Sequence, residues 1–281
     1  MPTTLLAGVI AAGAVVCCVI AAEPTGGGPG AGGGGGAGAP AVKDPGNVEE
    51  AAAAFPHPLI TEVLFAVPTG PEGDANKDGV RQVSGDEFIE IVNPHARPIQ
   101  LLGYVLTDSS PNPKTQMRFR FPAMELKPGG VVVVFNGNGS TFSGPVGDGK
   151  SAPAKPDERF DGAWVFTMRA SSSRTAFSNA SDAVILRSPD GAAVQRVRWG
   201  KAGDNAAEMK VLLDEVAPAA SKCSVSRSGK GKGAVWRAHT DDEAGPFSPG
   251  RWRPEGAAAP PQSPGPGAPA AGEPVAPGAG R

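Results

Sequence analysis

Cysteine and excess charge of either sign are scarce in this sequence, and each scarcity excludes a class of protein. The three cysteines, of which Cys17 and Cys18 are adjacent, are too few for the disulfide framework of a small secreted domain or for a cysteine-based metal site. The formal net charge is -2, with basic and acidic residues mixed along the chain. Binding to a phosphate backbone needs a concentrated basic surface, so we expect no nucleic-acid partner.

Sequence patterns typical of catalysis are equally scarce. His57, His95 and His239 lie far apart without metal-ligand spacing, and we expect all three at the surface. No Gly-x-Ser-x-Gly motif is present, and Cys223 has no base near it in sequence. Nucleophilic catalysis is therefore not indicated.

Charged residues are absent from residues 5–22, LLAGVIAAGAVVCCVIAA. This apolar length suits insertion by a secretion apparatus and is marginal for spanning a bilayer, so residues 1–22 are predicted to be a signal peptide or a membrane anchor. Cleavage near Ala22, acylation at Cys17 or Cys18, and retention as a membrane tether are the three outcomes left open. Each places the rest of the chain outside the cytoplasm, secreted or in the cell envelope.

Glycine and proline are abundant, at 40 and 30 residues, and they are concentrated at the two ends of the chain. Residues 23–56 form a linker rich in Gly, Ala and Pro, and residues 251–281 are a tail of similar composition. Neither segment can bury enough apolar surface to offset its chain entropy. We expect two disordered arms around one folded domain over residues 57–250.

Short runs of β-branched and aromatic residues, bounded by Gly, Pro, Asn and Asp, fill this central part and predict an all-β fold. About nine strands without crossover helices favour an immunoglobulin-like β-sandwich over a parallel sheet. The predicted strands begin at Leu59, Glu87, Ile99, Met117, Val131, Ala163, Asp182, Ala193 and Ser224. Residues 203–214 are either a helix or a loop, and residues 136–180 contain a long loop.

Two of these strands show which faces are buried. MRFRF alternates with period two, which predicts that Met117, Phe119 and Phe121 face the core and that Arg118 and Arg120 face water. VVVVF, from Val131, is continuously apolar, as expected of a central strand. Trp199 and Trp236 lie in or near strands and are predicted to be core residues, whereas Trp252 lies at the domain edge.

Five pieces of sequence, taken in order, resemble the lamin tail domain family. They are LITEVLF, DEFIEIVNPHARPIQLLGYVLTD, MRFRFPAMELKPGGVVVVFNG, DAVILRSPDGAAVQRVRWG and SVSRSGKGKGAVWRAH with the following FSPG. The resemblance covers residues 57–250 except the region 136–180, and it is to the bacterial secreted or envelope type. It implies an immunoglobulin-like module that binds or scaffolds an unknown protein or envelope component and supplies no catalytic residue.

The connection after the first strand contains the one pattern that indicates a metal. Asp74, Asn76 and Asp78, followed by Gly79, reproduce the first half of an EF-hand loop, in which alternate oxygens converge on Ca²⁺. The bidentate glutamate of the second half is missing. A Ca²⁺ site can still be built from Asp74, Asn76, Asp78, the Val80 carbonyl and either Asp86 or Glu87. The alternative interpretation is an acidic loop stabilised by Asx-turns.

The alternative function is a hydrolase, or an accessory domain of one, that uses Asp86, Glu87 and Glu90. Glycoside hydrolysis would need two carboxyl groups flanking a sugar cleft. Residues three apart on a strand point to opposite faces, and one Tyr with four Trp gives little surface for sugar stacking. The preferred interpretation is therefore a non-catalytic binding or scaffolding module.

Overall fold

A computed structural model describes residues 55–252, except 143, 145–151, 154, 173, 202–209, 231–233 and 240–244. The described residues form thirteen β-strands and two 3-10 helices, Pro71–Gly73 and Glu158–Phe160, and they contain no α-helix. The predicted all-β fold is confirmed. The predicted export segment, most of the linker and all but the start of the tail lie outside the described residues.

The strands form two main sheets and one small ribbon. In chain order they are β1 (Leu59–Leu64), β2 (Phe88–Val92), β3 (Ile99–Gln100), β4 (Val105–Thr107), β5 (Arg118–Arg120), β6 (Glu125–Leu126), β7 (Val131–Phe135), β8 (Trp164–Thr167), β9 (Asp182–Arg187), β10 (Ala193–Trp199), β11 (Leu213–Val216), β12 (Val225–Arg227) and β13 (Trp236–Ala238). The six-stranded sheet has the order β13-β12-β1-β2-β7-β8 and the five-stranded sheet has the order β11-β10-β9-β4-β5. β3 and β6 pair with each other.

The main core lies between the two sheets. In β5 the alternation predicts the faces correctly, because Phe119 is buried while Arg118 and Arg120 are exposed. The Phe65 and Trp199 rings stack with centroids 4.1 Å apart. Ile60 N donates to Gln195 Oε1 at 2.7 Å, which ties β1 to β10 across the sandwich.

The six-stranded sheet is covered on both faces, which explains the continuous apolar run of β7. Val132 and Val134 belong to the main core, whereas Val133 and Phe135 belong to a second cluster on the outer face. Phe160, from the chain that follows β7, packs on Phe135 with ring centroids 5.4 Å apart. Part of the long segment after β7 therefore covers this sheet.

The sheet edges and some of the later strands show features that the sequence patterns do not predict. β7 pairs with β8, and β10 with β11, in parallel, so each main sheet carries one parallel strand at an edge. The helix considered for residues 203–214 is wrong at its C-terminal end, because β11 begins at Leu213, and residues 202–209 are outside the described part. β6, β11 and β13 were not among the predicted strands. Sequence patterns miss β6 and β11 because they are short and mixed in polarity.

Two tryptophans and one histidine for which the sequence predicts a position are buried in the structure. Trp199 and Trp236 are core residues, as predicted. The prediction of a surface position is wrong for His239, which is only 3% exposed. The reason is its partners, because the two ring nitrogens lie 2.8 Å from Gly245 O and 2.9 Å from Ser248 Oγ.

Candidate functional site

The acidic connection between β1 and β2 folds around the side chain of Asp74. Its Oδ1 accepts a hydrogen bond from Asp78 N at 3.1 Å, and its Oδ2 accepts one from Gly79 N at 2.9 Å. Asn76 Oδ1 also accepts from Asp78 N, at 3.0 Å. Gly79 has a φ of 92°, a left-handed conformation that glycine adopts without strain, and it permits the tight turn.

Asp86 closes this loop from the far side. Its two carboxylate oxygens accept from Asn76 N at 2.9 Å and from Gln82 N at 2.6 Å. Burial raises the pKa of Asp86 to about 6, and the negative charges of Asp74 and Asp78 act in the same direction. Three carboxyl groups are therefore close enough to repel one another electrostatically.

Asp78 joins the loop to the segment after β7. Its Oδ2 accepts from Ser140 Oγ at 2.5 Å and from Thr141 N at 2.8 Å. Burial acts to raise the pKa of Asp78, but the hydrogen bonds from Ser140, Val80 and Thr141 outweigh it, and the pKa is lowered. Asp78 is thus held as a carboxylate at neutral pH.

The six predicted ligand residues do not all meet. Asp74, Asn76, Asp78 and Asp86 lie in one hydrogen-bonded loop, and the side chain of Val80 is 56% exposed beside it. Glu87 is bound elsewhere, where its Oε2 accepts from Asn136 Nδ2 at 3.1 Å and from Phe177 N at 3.2 Å. Over the described residues, no three His, Cys, Asp or Glu side chains are grouped as a preformed metal site. The loop supplies oxygen ligands of the type Ca²⁺ prefers, now hydrogen-bonded to backbone amides as in Asx-turns.

A second acidic site, which sequence reasoning missed, lies on the outer face of β1 and β2. Glu62 and Glu90 are directly opposite each other in the register, and they are 2% and 1% exposed. Thr61 Oγ1 donates to Glu90 Oε1 at 2.7 Å, and Ser224 Oγ donates to Glu62 Oε1 at 2.6 Å. Burial raises the pKa of both carboxyl groups, and the neighbouring charge of Glu62 raises that of Glu90 further.

Residues 245–252, here called the closing segment, cover this carboxyl pair. Ser248 N donates to Glu62 Oε1 at 2.8 Å, and Gly250 N donates to Glu90 Oε2 at 2.8 Å. A side chain at Gly250 has no room, because a Cβ there would lie 2.1 Å from Phe160 O. The pair thus anchors a segment 160 to 186 residues away in the sequence, a distance over which no local pattern could have indicated the contact.

Comparison with known families supports the resemblance seen in the sequence. A family model described as Lamin Tail Domain matches residues 53–201, more than half of the chain. The chain belongs to the lamin tail domain family. Comparison with curated proteins finds no matching protein.

Membership fits the immunoglobulin-like sandwich described above and gives the general class of the protein. Lamin tail domains are binding or scaffolding modules that are not typically catalytic. In this lamin tail domain, β11–β13 and the closing segment lie beyond the matched residues. The carboxyl pair of Glu62 and Glu90 therefore connects the matched part to its C-terminal extension.

One end of this lamin tail domain is closed by a third group of buried acids. Glu87, Asp108 and Asp182 lie at strand ends of both sheets. Burial raises the pKa of Asp108 to about 6 and that of Glu87 well above its usual value; the charge of Asp182 adds to both shifts, and that of Asp108 adds to the shift of Glu87. Their oxygens accept from backbone amides, as when Met117 N donates to Asp108 Oδ2 at 3.0 Å. The buried acids thus provide hydrogen-bond acceptors for backbone N–H groups at this end of the core.

The three residues of the hydrolase hypothesis are dispersed in the lamin tail domain. Glu87 faces the interior end of the sandwich, and Glu90 faces outward beneath the closing segment. Asp86 belongs to the acidic loop. Glu87, just before β2, and Glu90, within it, thus direct their carboxyl groups to opposite sides of the six-stranded sheet and do not form a pair.

In the part of the chain that the structure describes, no helix is long and apolar enough to cross a bilayer. Residues 5–22, the predicted export segment, lie outside the described part.

Proposed function

We propose that this protein is a non-catalytic, extracytoplasmic module of the bacterial lamin tail type that binds or scaffolds a protein or envelope component. Membership of the family supports a module of this general class. The uncharged segment 5–22 and the Gly-rich segment 23–56 support export and presentation on a tether. A linker of about 34 residues would give a mean reach on the order of 30 Å.

We further propose that Ca²⁺ binds the acidic loop of this module and stabilises the folded domain. The observation that carries this proposal is the convergence of Asp74, Asn76, Asp78 and Asp86 around one turn. A cation would relieve the repulsion that contributes to the raised pKa of Asp86. The remaining ligands would be carbonyl oxygens such as that of Val80, together with water.

Calcium titration with thermal unfolding tests this proposal. Millimolar Ca²⁺ should release or absorb heat and should raise the Tm, because a ligand that binds only the folded state stabilises it. Asp78→Asn should abolish both effects. Glu72→Gln, which removes an exposed carboxylate from the same connection, should leave them unchanged.

The effect of Ca²⁺ on the Tm should also depend on pH. Asp86 takes up a proton as the pH falls through about 6, so the Ca²⁺-induced rise in Tm should shrink below that pH. Absence of heat and of any Tm shift at neutral pH would contradict the calcium proposal. The mass of the protein isolated from its native cell would test export separately, because cleavage near Ala22 and acylation at Cys17 or Cys18 give different masses.

A further inference from the structure

The five-stranded sheet turns a row of arginines away from the core. Leu106, Phe119, Val184, Leu186, Val197 and Trp199 point into the main core, so the alternate residues of the same strands point outward. The outward residues include five arginines, here called the arginine face: Arg118, Arg120, Arg187, Arg196 and Arg198. Among the outward residues of these five strands only Asp214 is acidic.

Asp214 neutralises the arginines at one edge of the five-stranded sheet but not those at the other edge. Asp214 lies on β11 at one edge, where its carboxylate contacts Arg196 Nη2 at 2.5 Å and Arg198 Nε at 3.5 Å. Arg118 and Arg120 lie on β5 at the opposite edge. Positive charge is therefore least compensated along β5, although the chain as a whole carries a net charge of -2.

Arg118 and Arg120 have no partner of their own in the described part of the chain. Both side chains are exposed, and no described residue forms a hydrogen bond or an ion pair with either guanidinium. The hydroxyl of Thr107, opposite Arg118 in the register, is buried and likewise lacks a hydrogen-bond partner among the described residues. The exposed side chains of this edge thus offer two guanidinium donors that no acceptor among the described residues occupies.

The backbone of β5 is also open on one side. Phe121 N donates to Tyr104 O at 2.9 Å, and Asp108 N donates to Met117 O at 3.3 Å. Since successive residues of an antiparallel strand bond alternately to either side, the backbone groups of Arg118 and Arg120 point away from β4. No described strand pairs with them on that side.

We propose that β5 binds an extended acidic segment of a protein partner, which adds a strand to the five-stranded sheet. This inference rests on the proposed binding function and names the chemistry of its partner. Side chains two apart on a strand repeat at about 6.6–6.8 Å, so carboxylates at alternate positions of the segment match Arg118 and Arg120. Arginine holds a carboxylate through two parallel hydrogen bonds, while the backbone groups supply the rest of the affinity.

A synthetic peptide, acetyl-Thr-Glu-Val-Glu-Val-Glu-Thr-amide with a fluorescent label, tests the proposal against the full-length protein. Fluorescence anisotropy should show saturable binding that weakens with added salt. Arg118→Glu and Arg120→Glu should each weaken binding about tenfold or more. The matched control is Arg237→Glu, which makes the same charge change at an exposed position on β13, the edge strand of the other sheet, and should leave binding unchanged.

A second peptide tests strand addition itself. Methylation of the backbone nitrogens that face β5 keeps the carboxylates but removes the donors to the sheet, and it should also weaken binding about tenfold. Equal binding of the methylated peptide, an equal effect of Arg237→Glu, or no binding at millimolar peptide would each overturn the proposal. So would arginine-dependent binding of duplex DNA or anionic vesicles without binding of the peptide.

The variants remain interpretable whatever the outcome. Arg118 and Arg120 are exposed, so the substitutions should leave the Tm within about 2 °C of the parent value. A normal Ca²⁺ response with no peptide binding would contradict only the proposal for β5. Loss of the Ca²⁺ response with intact peptide binding would contradict only the calcium part of the proposed function.

Discussion

Glu62 and Glu90 place two acids face to face where neither can reach water. Two charges at this spacing would repel each other strongly, so the pair retains at least one proton at neutral pH. The pKa of Glu90 is raised to about 8, from 4.5 for the free side chain. Between these two values the native state holds a proton that the unfolded chain has released. The free energy of unfolding therefore falls as the pH rises through this range.

Glu90→Gln should reduce this pH dependence and leave the part that comes from the other buried acids with a raised pKa, such as Glu87 and Asp108. Glutamine is neutral at every pH, and its amide can accept from Gly250 N while donating to Thr61 Oγ1. Denaturant unfolding at a series of pH values should show the parent losing on the order of 2 kcal/mol between about pH 5 and about pH 8. The variant should lose less free energy of unfolding than the parent over this range and should be the more stable protein at about pH 8.

The control for this experiment is Glu125→Gln, at an exposed position of β6. It should follow the pH profile of the parent protein. A parent whose stability is constant or rises over this range would show that the buried pair does not hold a proton.

For single residues, the sequence pattern predicts which way a side chain points but not whether that side chain is buried. Alternation with Ile89 and Ile91 correctly places the side chain of Glu90 on the other face of β2. The pattern does not show that this face is covered, because the closing segment that covers it comes from residues 245–252. The same long-range contact explains why His239 was wrongly expected at the surface.

The closing segment is the element on which the outer face of the six-stranded sheet depends. It supplies two backbone amides to the buried carboxyl pair, and its Phe247 ring packs edge-on against Phe88 with centroids 6.3 Å apart. Arg251 forms an ion pair with Asp161, which follows the second 3-10 helix. Removing the segment would leave two buried acids without their amide donors.

A chain ending at Ala244 should therefore be much less stable than one ending at Arg253. The expected loss is about 3 kcal/mol or more, because the hydrogen bonds from Ser248 N and Gly250 N and the packing of Phe247 on Phe88 are lost. Denaturant unfolding of the two chains measures this difference, and the longer chain controls for loss of the tail. Equal stability of the two would show that the closing segment contributes nothing to the fold.

Strands with a clear hydrophobic pattern are predicted from the sequence, whereas strands that depend on their pairing with distant strands are not. β5 and β7 follow from alternation and from a continuous apolar run. β11 has no such pattern, because it is half exposed and its pairing with β10 is parallel. In the acidic loop, the spacing of Asp74, Asn76 and Asp78 predicts that their side-chain oxygens lie close together. Only the structure shows that Asp86 joins this loop while Glu87 binds Phe177 N elsewhere.

On the scale of the whole molecule, the sandwich separates two different surfaces. The acidic loop and the closing segment lie with the six-stranded sheet, and the arginine face lies on the outside of the five-stranded sheet. The proposed Ca²⁺ site and the proposed binding strand β5 therefore lie on different sheets of the module. The main core between the sheets holds both surfaces in one domain.

We expect one cooperative sandwich that extends beyond the family match at residue 201 to the closing segment. Native-state hydrogen exchange on the full-length protein tests it most directly, because amides of one cooperative unit open with similar free energies. The most protected amides of β1, β2, β10 and β12 should agree to within about 1 kcal/mol. Slow exchange in β1, β2 and β10 together with rapid exchange throughout β12, β13 and the closing segment would contradict the claim.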